Sequence, residues 1–280
     1  MRFETEYIFQ KKFVAEGQRR GLATEQVQTL FNLLPLKIQN TKCSFDEMTK
    51  LWRYDFGEPI KLDNGSVLIG TNISIAIDSL FSVVLCASQR LNSEKQTAYF
   101  KRLGEPAKHR NVLVEFAPVL HLDHSISAEF EVSGRGMGNK TIDWVIGPHE
   151  KRTILIEVKR RELDLITHMN LIGSGKRGGG GRVPAPDHDP SLLFRSVEEK
   201  YLKADPDTHL QGVWISTDLK QETRSFEIAF QKLDRSNVHF AILGDFEPGV
   251  HILVRRSEDR QYLLKLLGLS QSERFVFTES

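Results

Sequence analysis

The chain has 280 residues, 40% hydrophobic and 27% charged, an ordinary composition for a globular protein. Its net charge of +1 excludes a globally basic surface, so any grip on nucleic acid has to come from a local patch. No run approaches the roughly 18 apolar residues of a membrane span, and the opening MRFETEYIFQKK carries acids and no apolar h-region, so a cytoplasmic location is expected.

Residues 1–72 read as a mainly helical region with one short hairpin. EQVQTLFNLLPL sets Val27, Leu30, Phe31 and Leu34 at helical spacing, with Pro35 as its stop. RRGLATEQVQTLF, with a turn at Gly21 and a helix opening at Thr24, resembles a helix-turn-helix, a pattern shared by ordinary packing pairs of helices. Cys43 and Cys86 lack metal-ligand spacing and are expected as buried, reduced thiols. PIKLDNGSVLIG places two short apolar runs around Asp63-Asn64-Gly65, a hairpin signal.

From 73 to 280 the pattern is that of a second domain. A helical stretch over about 73–103 carries the stripe Ile77, Leu80, Phe81, Val84 and Leu85. Three strands follow at 127–134, 140–147 and 152–159. A polar, glycine-rich loop spans 173–190, and Ser191 is the expected N-cap of an amphipathic helix over 191–204. LQGVWIST reads as a central strand, QETRSFEIAFQKLD as a helix, NVHFAILG and GVHILVRR as two strands, and 258–267 as a last helix. Strands alternating with helices predict an α/β fold whose central sheet is covered on both faces.

Within TILIEVKRR, Leu155, Glu157 and Lys159 share one strand face and Ile154, Ile156 and Val158 the other. The preceding strand carries Asp143 between Ile142 and Trp144. If the two strands are neighbours, Asp143 lies beside Glu157, and two carboxylates and a lysine converge. Paired carboxylates suit a hard divalent cation such as Mg²⁺, to which the Val158 carbonyl could add a ligand. A bound cation acidifies water and offsets phosphoryl charge, and a neighbouring lysine can orient that water or stabilise developing negative charge.

TIDWVI followed by ILIEVK resembles the PD-(D/E)xK nuclease superfamily, whose signature is an aspartate in one strand and E-x-K in the next. Its core order of helix, three strands, helix and strand resembles the reading of residues 73–217, so the resemblance implies a restriction-endonuclease-like core with a mixed central sheet. It also implies that Asp143 and Glu157 bind Mg²⁺, with Mn²⁺ able to substitute, that Lys159 assists the attacking water, and that DNA is the substrate. Position 142 holds Ile where the family's nominal residue is proline. Members often add a glutamate from the helix before the first strand; Glu115 in NVLVEFAPVL is the candidate, with Glu94 and Glu105 behind it. A minority of the family has lost catalysis. The alternative is therefore an inactive nuclease-like module that binds nucleic acid or protein within a larger complex. The N-terminal region is a candidate surface for a homodimer or protein partner, and no membrane contact is expected.

Arg160 and Arg161 continue from Lys159 as candidate phosphate contacts, or as an ordinary solvated helix start. Lys176, Arg177 and Arg182, around four consecutive glycines, are candidates to close over a DNA strand, or members of an insertion without a role. RELDLITHMN (161–170) is a candidate first piece of the helix that follows the insertion. Gly173-Ser174-Gly175-Lys176 is followed by Arg177 and is not a Walker A loop. His121-Leu122-Asp123-His124 and Asp187-His188-Asp189 lack partners at zinc spacing and read as surface loops. Trp144 and Trp214 read as core, and no G-x-S-x-G elbow supports a serine nucleophile.

Overall fold

The computed structural model describes residues 8–56, 60–61, 67–68, 74–161, 189–217, 223–233 and 236–272. They form two compact units that divide after Phe116. The expected boundary at 72 lies outside the described residues, and the helix that follows it packs within the first unit.

The first unit runs through α1 (Ile8–Arg19), α2 (Thr24–Leu33), the short α3 (Leu36–Gln39), β1 (Cys43–Asp46) and β2 (Leu51–Asp55). It continues through β3 (Ile60–Lys61), β4 (Val67–Leu68), β5 (Ser74–Ala76), α4 (Ile77–Arg90), α5 (Ser93–Leu103) and α6 (His109–Val114). Pro35 ends α2 as expected, with Leu34 forced into an extended conformation by the ring that follows it. The helix expected over 73–103 is two helices. Asn92 breaks it by accepting a hydrogen bond from the Lys95 amide and capping α5. The β3–β4 pairing, Ile60 with Leu68, agrees with the hairpin signal, although Asp63-Asn64-Gly65 lies outside the described residues. The antiparallel sheet β1-β2-β5 has no counterpart in the periodicity reading. Its tight turn depends on Asp46 accepting from the Met48 and Thr49 amides. Helices α1, α2 and α4 pack around Phe9, Phe13, Phe31 and Phe81, with the Phe13 and Phe81 ring centroids 4.8 Å apart. Cys86 is buried as expected, but Cys43 is only half-buried; neither forms a disulfide.

The second unit contains β6 (Ala128–Val132), β7 (Ile142–Ile146), β8 (Thr153–Arg161), α7 (Pro190–Glu198), β9 (His209–Thr217) and α8 (Thr223–Gln231). It ends with β10 (Phe240–Leu243), β11 (Gly249–Val254), α9 (Ser257–Leu266) and β12 (Ser270–Gln271). The strands form a seven-stranded mixed sheet in the order β12-β11-β10-β9-β8-β7-β6. Strands β6, β7 and β8 are successive antiparallel neighbours, β6 and β7 joined by a loop over 133–141 and β7 and β8 by a turn over 147–152. Parallel pairing of β8 with β9, and of β9 with β10, needs crossovers, and α7 and α8 occur in those connections. This α/β architecture is the class expected, with LQGVWIST as the middle strand.

Both sheet faces are buried. Val145, Leu155, Val213, Ile215, Ala241 and Leu243 pack with Phe194, Val197 and Tyr201 at α7 and Phe226 and Phe230 of α8. On the opposite face Trp144, Ile154, Ile156, Trp214 and Ile242 are fully buried, so both tryptophans are core as expected. Gly212 is required by close approach: a Cβ there would stand 2.5 Å from the Phe240 ring on β10. Helix α7 differs from expectation at both ends. Its N-cap is Asp189, whose side chain accepts from the Ser191 amide, and Pro190 takes the first helical position where no N–H is needed. It stops at Glu198 instead of reaching 204, leaving Lys200 and Tyr201 just beyond its end. No helix among the described residues is long and apolar enough to cross a membrane.

Candidate active site on strands 7 and 8

Strands β7 and β8 pair with Trp144 opposite Ile156, Val145 opposite Leu155 and Ile146 opposite Ile154. Continuing this antiparallel register by one residue sets Asp143 opposite Glu157. The ladder stops there, and the Asp143 carboxylate takes over: its Oδ2 accepts from the Val158 amide at 2.7 Å. Val158, whose carbonyl is the expected extra metal ligand, is thus tied by its own N–H to the first carboxylate. Asp143 is half-buried within an otherwise buried strand.

Glu157 is fully buried. Its Oε2 accepts from Lys200 Nζ at 2.6 Å, and Lys159 Nζ stands 3.5 Å from the same oxygen. Its Oε1 is buried and has no hydrogen-bond partner among the described residues. Burial raises the Glu157 pKa above the ordinary glutamate value, and the neighbouring charge of Asp143 pushes it the same way. The hydrogen bond from Lys200 and the charges of Lys159 and Lys200 only partly offset these effects. Two carboxylates and two ammonium groups therefore meet on one face of the β7–β8 pair.

Tyr201 supports this arrangement from beneath. Its buried hydroxyl accepts from the Glu157 amide at 3.0 Å and lies within donating reach of the Leu155 carbonyl on β8 and the Gly212 carbonyl on β9. One phenolic proton serves one of these carbonyls at a time, so the hydroxyl ties both strands to the residue that carries the carboxylate. Burial holds this phenol well above the ordinary tyrosine pKa, so it stays protonated. The loop between β6 and β7 holds the neighbouring residue. The Met137 amide donates to the Lys200 carbonyl at 2.7 Å and Lys140 Nζ to the Glu199 carbonyl at 3.2 Å. Gly136 permits that contact, since a Cβ there would lie 2.9 Å from the Lys200 carbonyl oxygen.

The remaining candidates fall elsewhere. Glu115 caps α6 in the first unit and forms a two-pronged pair with Arg102, at 3.2 and 2.8 Å. Glu94 lies in the first turn of α5, and Glu105 pairs with Lys108 at 2.6 Å. Strand β8 runs on through Arg161, so residues 160 and 161 do not start a helix, and alternation places Arg160 on the face opposite Glu157 and Lys159. Lys176, Arg177 and Arg182 lie outside the described residues, as do residues 162–170, Asp187 and His188. His121 is tied to the Phe246 carbonyl at 2.9 Å, and Asp123 closes a turn onto Ser125. Among the described residues no three His, Cys, Asp or Glu side chains cluster as a metal site.

Lys200 and Tyr201 are the two residues at this site that periodicity did not find. SVEEKYLKA reads as continuing helix, in which Lys200 is one more solvated lysine and Tyr201 one more apolar-face aromatic. The available signal was a buried-strand glutamate that demanded a counter-charge beyond Lys159. Comparison with protein-family models, curated proteins and solved structures gives no match to this chain.

Proposed function

We propose that the second unit is a metal-dependent hydrolase of phosphodiester bonds and, more particularly, a nuclease acting on DNA. The observation that carries this reading is the placement of Asp143 and Glu157 at opposed positions of adjacent strands, with Lys159 two residues along the same face. The buried Oε1 of Glu157, without a partner among the described residues, and the hard oxygen donors of both carboxylates fit a Mg²⁺ ion, which typically needs one or two protein carboxylates alongside water and phosphate. Bound there, such an ion would acidify a water and neutralise phosphoryl charge. Asp143 and Glu157 would hold it, and Lys159, about one third exposed, can reach a water or phosphate oxygen at the rim. Three antiparallel strands, a helix and a parallel strand follow one another as in the core that the Asp143 and Glu157-x-Lys159 resemblance implies, although the helices that precede these strands belong to the first unit.

A second reading rests on one specific observation: Asp143 Oδ2 and Glu157 Oε2 already have partners within the chain, in the Val158 amide and Lys200. A closed ion cluster of this kind suits a nuclease-like module that binds nucleic acid without cutting it. Incubating the full chain with a labelled DNA duplex, an RNA of the same sequence and Mg²⁺ or Mn²⁺ separates the two. Cleavage that disappears in Asp143→Asn and Glu157→Gln supports the nuclease. Binding without cleavage under every divalent ion supports the module.

A further inference from the structure

We propose that Lys200 is an internal cation that competes with a divalent metal ion for Glu157, so that loading the site requires the Lys200 ammonium to leave. This inference rests on the metal-dependent reading of the site. Lys200 Nζ is the close partner of Glu157 Oε2, at 2.6 Å, whereas Lys159 of the E-x-K signature stands at 3.5 Å. The ammonium therefore occupies the position from which a cation would neutralise this carboxylate. A divalent ion that engages both oxygens of this carboxylate has to share Oε2 with the ammonium, and like charges at that separation repel strongly in a partly buried site.

The two partners differ in their freedom to move. Glu157 is fully buried on the middle of a paired strand, with its amide tied to Tyr201. Lys200 is 28% exposed at its side chain and lies past the end of α7. Its backbone is pinned by the Met137 amide on one side and by its own N–H to the Val197 carbonyl on the other. Release of Glu157 thus needs only rotation of the lysine stem toward solvent, with no change of fold. Glu157 also gains by the exchange. Its Oε1 has no partner among the described residues, and a cation with several coordination positions can engage a carboxylate that one ammonium satisfies at a single oxygen.

The test is Mn²⁺ binding to the full chain without nucleic acid, read as the electron paramagnetic resonance signal of free Mn²⁺ at pH 8.5. Parent, Lys200→Gln, Lys200→Arg and Glu157→Gln are compared, with circular dichroism to verify folding. Glutamine keeps a hydrogen-bond donor and removes the charge. Mn²⁺ affinity should rise roughly tenfold or more, because apparent affinity is the intrinsic one scaled by the fraction of molecules with Glu157 released. Arginine keeps the charge in a fork that grips carboxylates and should weaken Mn²⁺ binding. If Lys200→Gln does not fold, the arginine variant decides alone, and unchanged or tighter binding there overturns the proposal. Unchanged or weaker binding in folded Lys200→Gln, with Glu157-dependent binding intact in the parent, overturns the competition and leaves the metal site standing. Absence of Glu157-dependent Mn²⁺ binding in every variant overturns the metal reading and the competition together.

Discussion

Glu157 takes its close counter-ion from Lys200, 43 residues along the chain, and its looser one from Lys159 on its own strand. Removing the close partner leaves a buried carboxylate with inadequate compensation. Lys200→Met should destabilise the protein by about 3 kcal/mol at pH 8, the scale of breaking a buried pair. The deficit should shrink as pH falls toward the ordinary glutamate range, because Glu157, whose pKa is already raised, takes up a proton and no longer needs a counter-charge. Urea unfolding of parent and variant at several pH values measures both effects.

Lys159 carries the opposite expectation. It is 31% exposed and 3.5 Å from Glu157, so it contributes little to stability. Lys159→Ala should shift unfolding by less than about 1 kcal/mol and, on the proposed nuclease reading, lower metal-dependent cleavage roughly 100-fold, the scale of removing one electrostatic contact to a transition state. Single-turnover kinetics beside a melting curve separate the two.

Tyr201→Phe keeps the ring in the core and deletes the hydroxyl that serves the Glu157 amide and the carbonyls of β8 and β9. A destabilisation of about 1–3 kcal/mol is expected from the buried groups left without that partner. On the proposed nuclease reading, cleavage should fall as well, since Glu157 loses the contact that fixes its backbone. A variant as stable as the parent sinks the positioning role of this hydroxyl.

Gly212→Ala tests the close approach of β9 to β10. The added methyl meets the Phe240 ring, and a loss of about 1–3 kcal/mol follows from overpacking a tight core. The double variant with Phe240→Leu should recover part of that loss in thermal unfolding.

In the first unit, His109 is buried between the Tyr54 hydroxyl at 2.7 Å and the Leu103 carbonyl at 2.7 Å. With Nδ1–H donating to the carbonyl, Nε2 accepts from the tyrosine, which requires a neutral ring. Burial lowers its pKa from 6.5 to about 4. Below 6.5 the unfolded chain takes up a proton that the folded chain refuses. The stabilisation is therefore complete above pH 6.5 and is lost as pH falls toward 4, amounting to roughly 3 kcal/mol. The His109 ring resonances should show no titration between pH 8 and 5, and a midpoint near 6.5 by nuclear magnetic resonance contradicts the buried neutral form.

The strands, their alternation and the central position of LQGVWIST were legible because burial imposes a period of two on one face and a continuous apolar run on a strand covered from both sides. For the same reason Asp143, Glu157 and Lys159 stood out as charges inside such runs. The β1-β2-β5 sheet was not legible: CSFD and LWRYD are too short and too exposed for burial to pattern them, and their turn depends on local contacts of Asp46. The split at Asn92 depended on one side chain capping a helix inside an otherwise continuous apolar stripe.

By itself the sequence determined which residues could carry charge into a buried strand, since alternation is a property of the backbone and needs no partner. It also determined that Asp143 and Glu157 could meet, because a short turn between two strands leaves little choice of register. Only the tertiary structure decided that β7 and β8 pair so as to set them opposite each other. It also brought Lys200 and Tyr201 back from beyond α7 to Glu157. That return depends on where α7 ends and on the parallel crossover to β9, long-range packing events that no local period encodes.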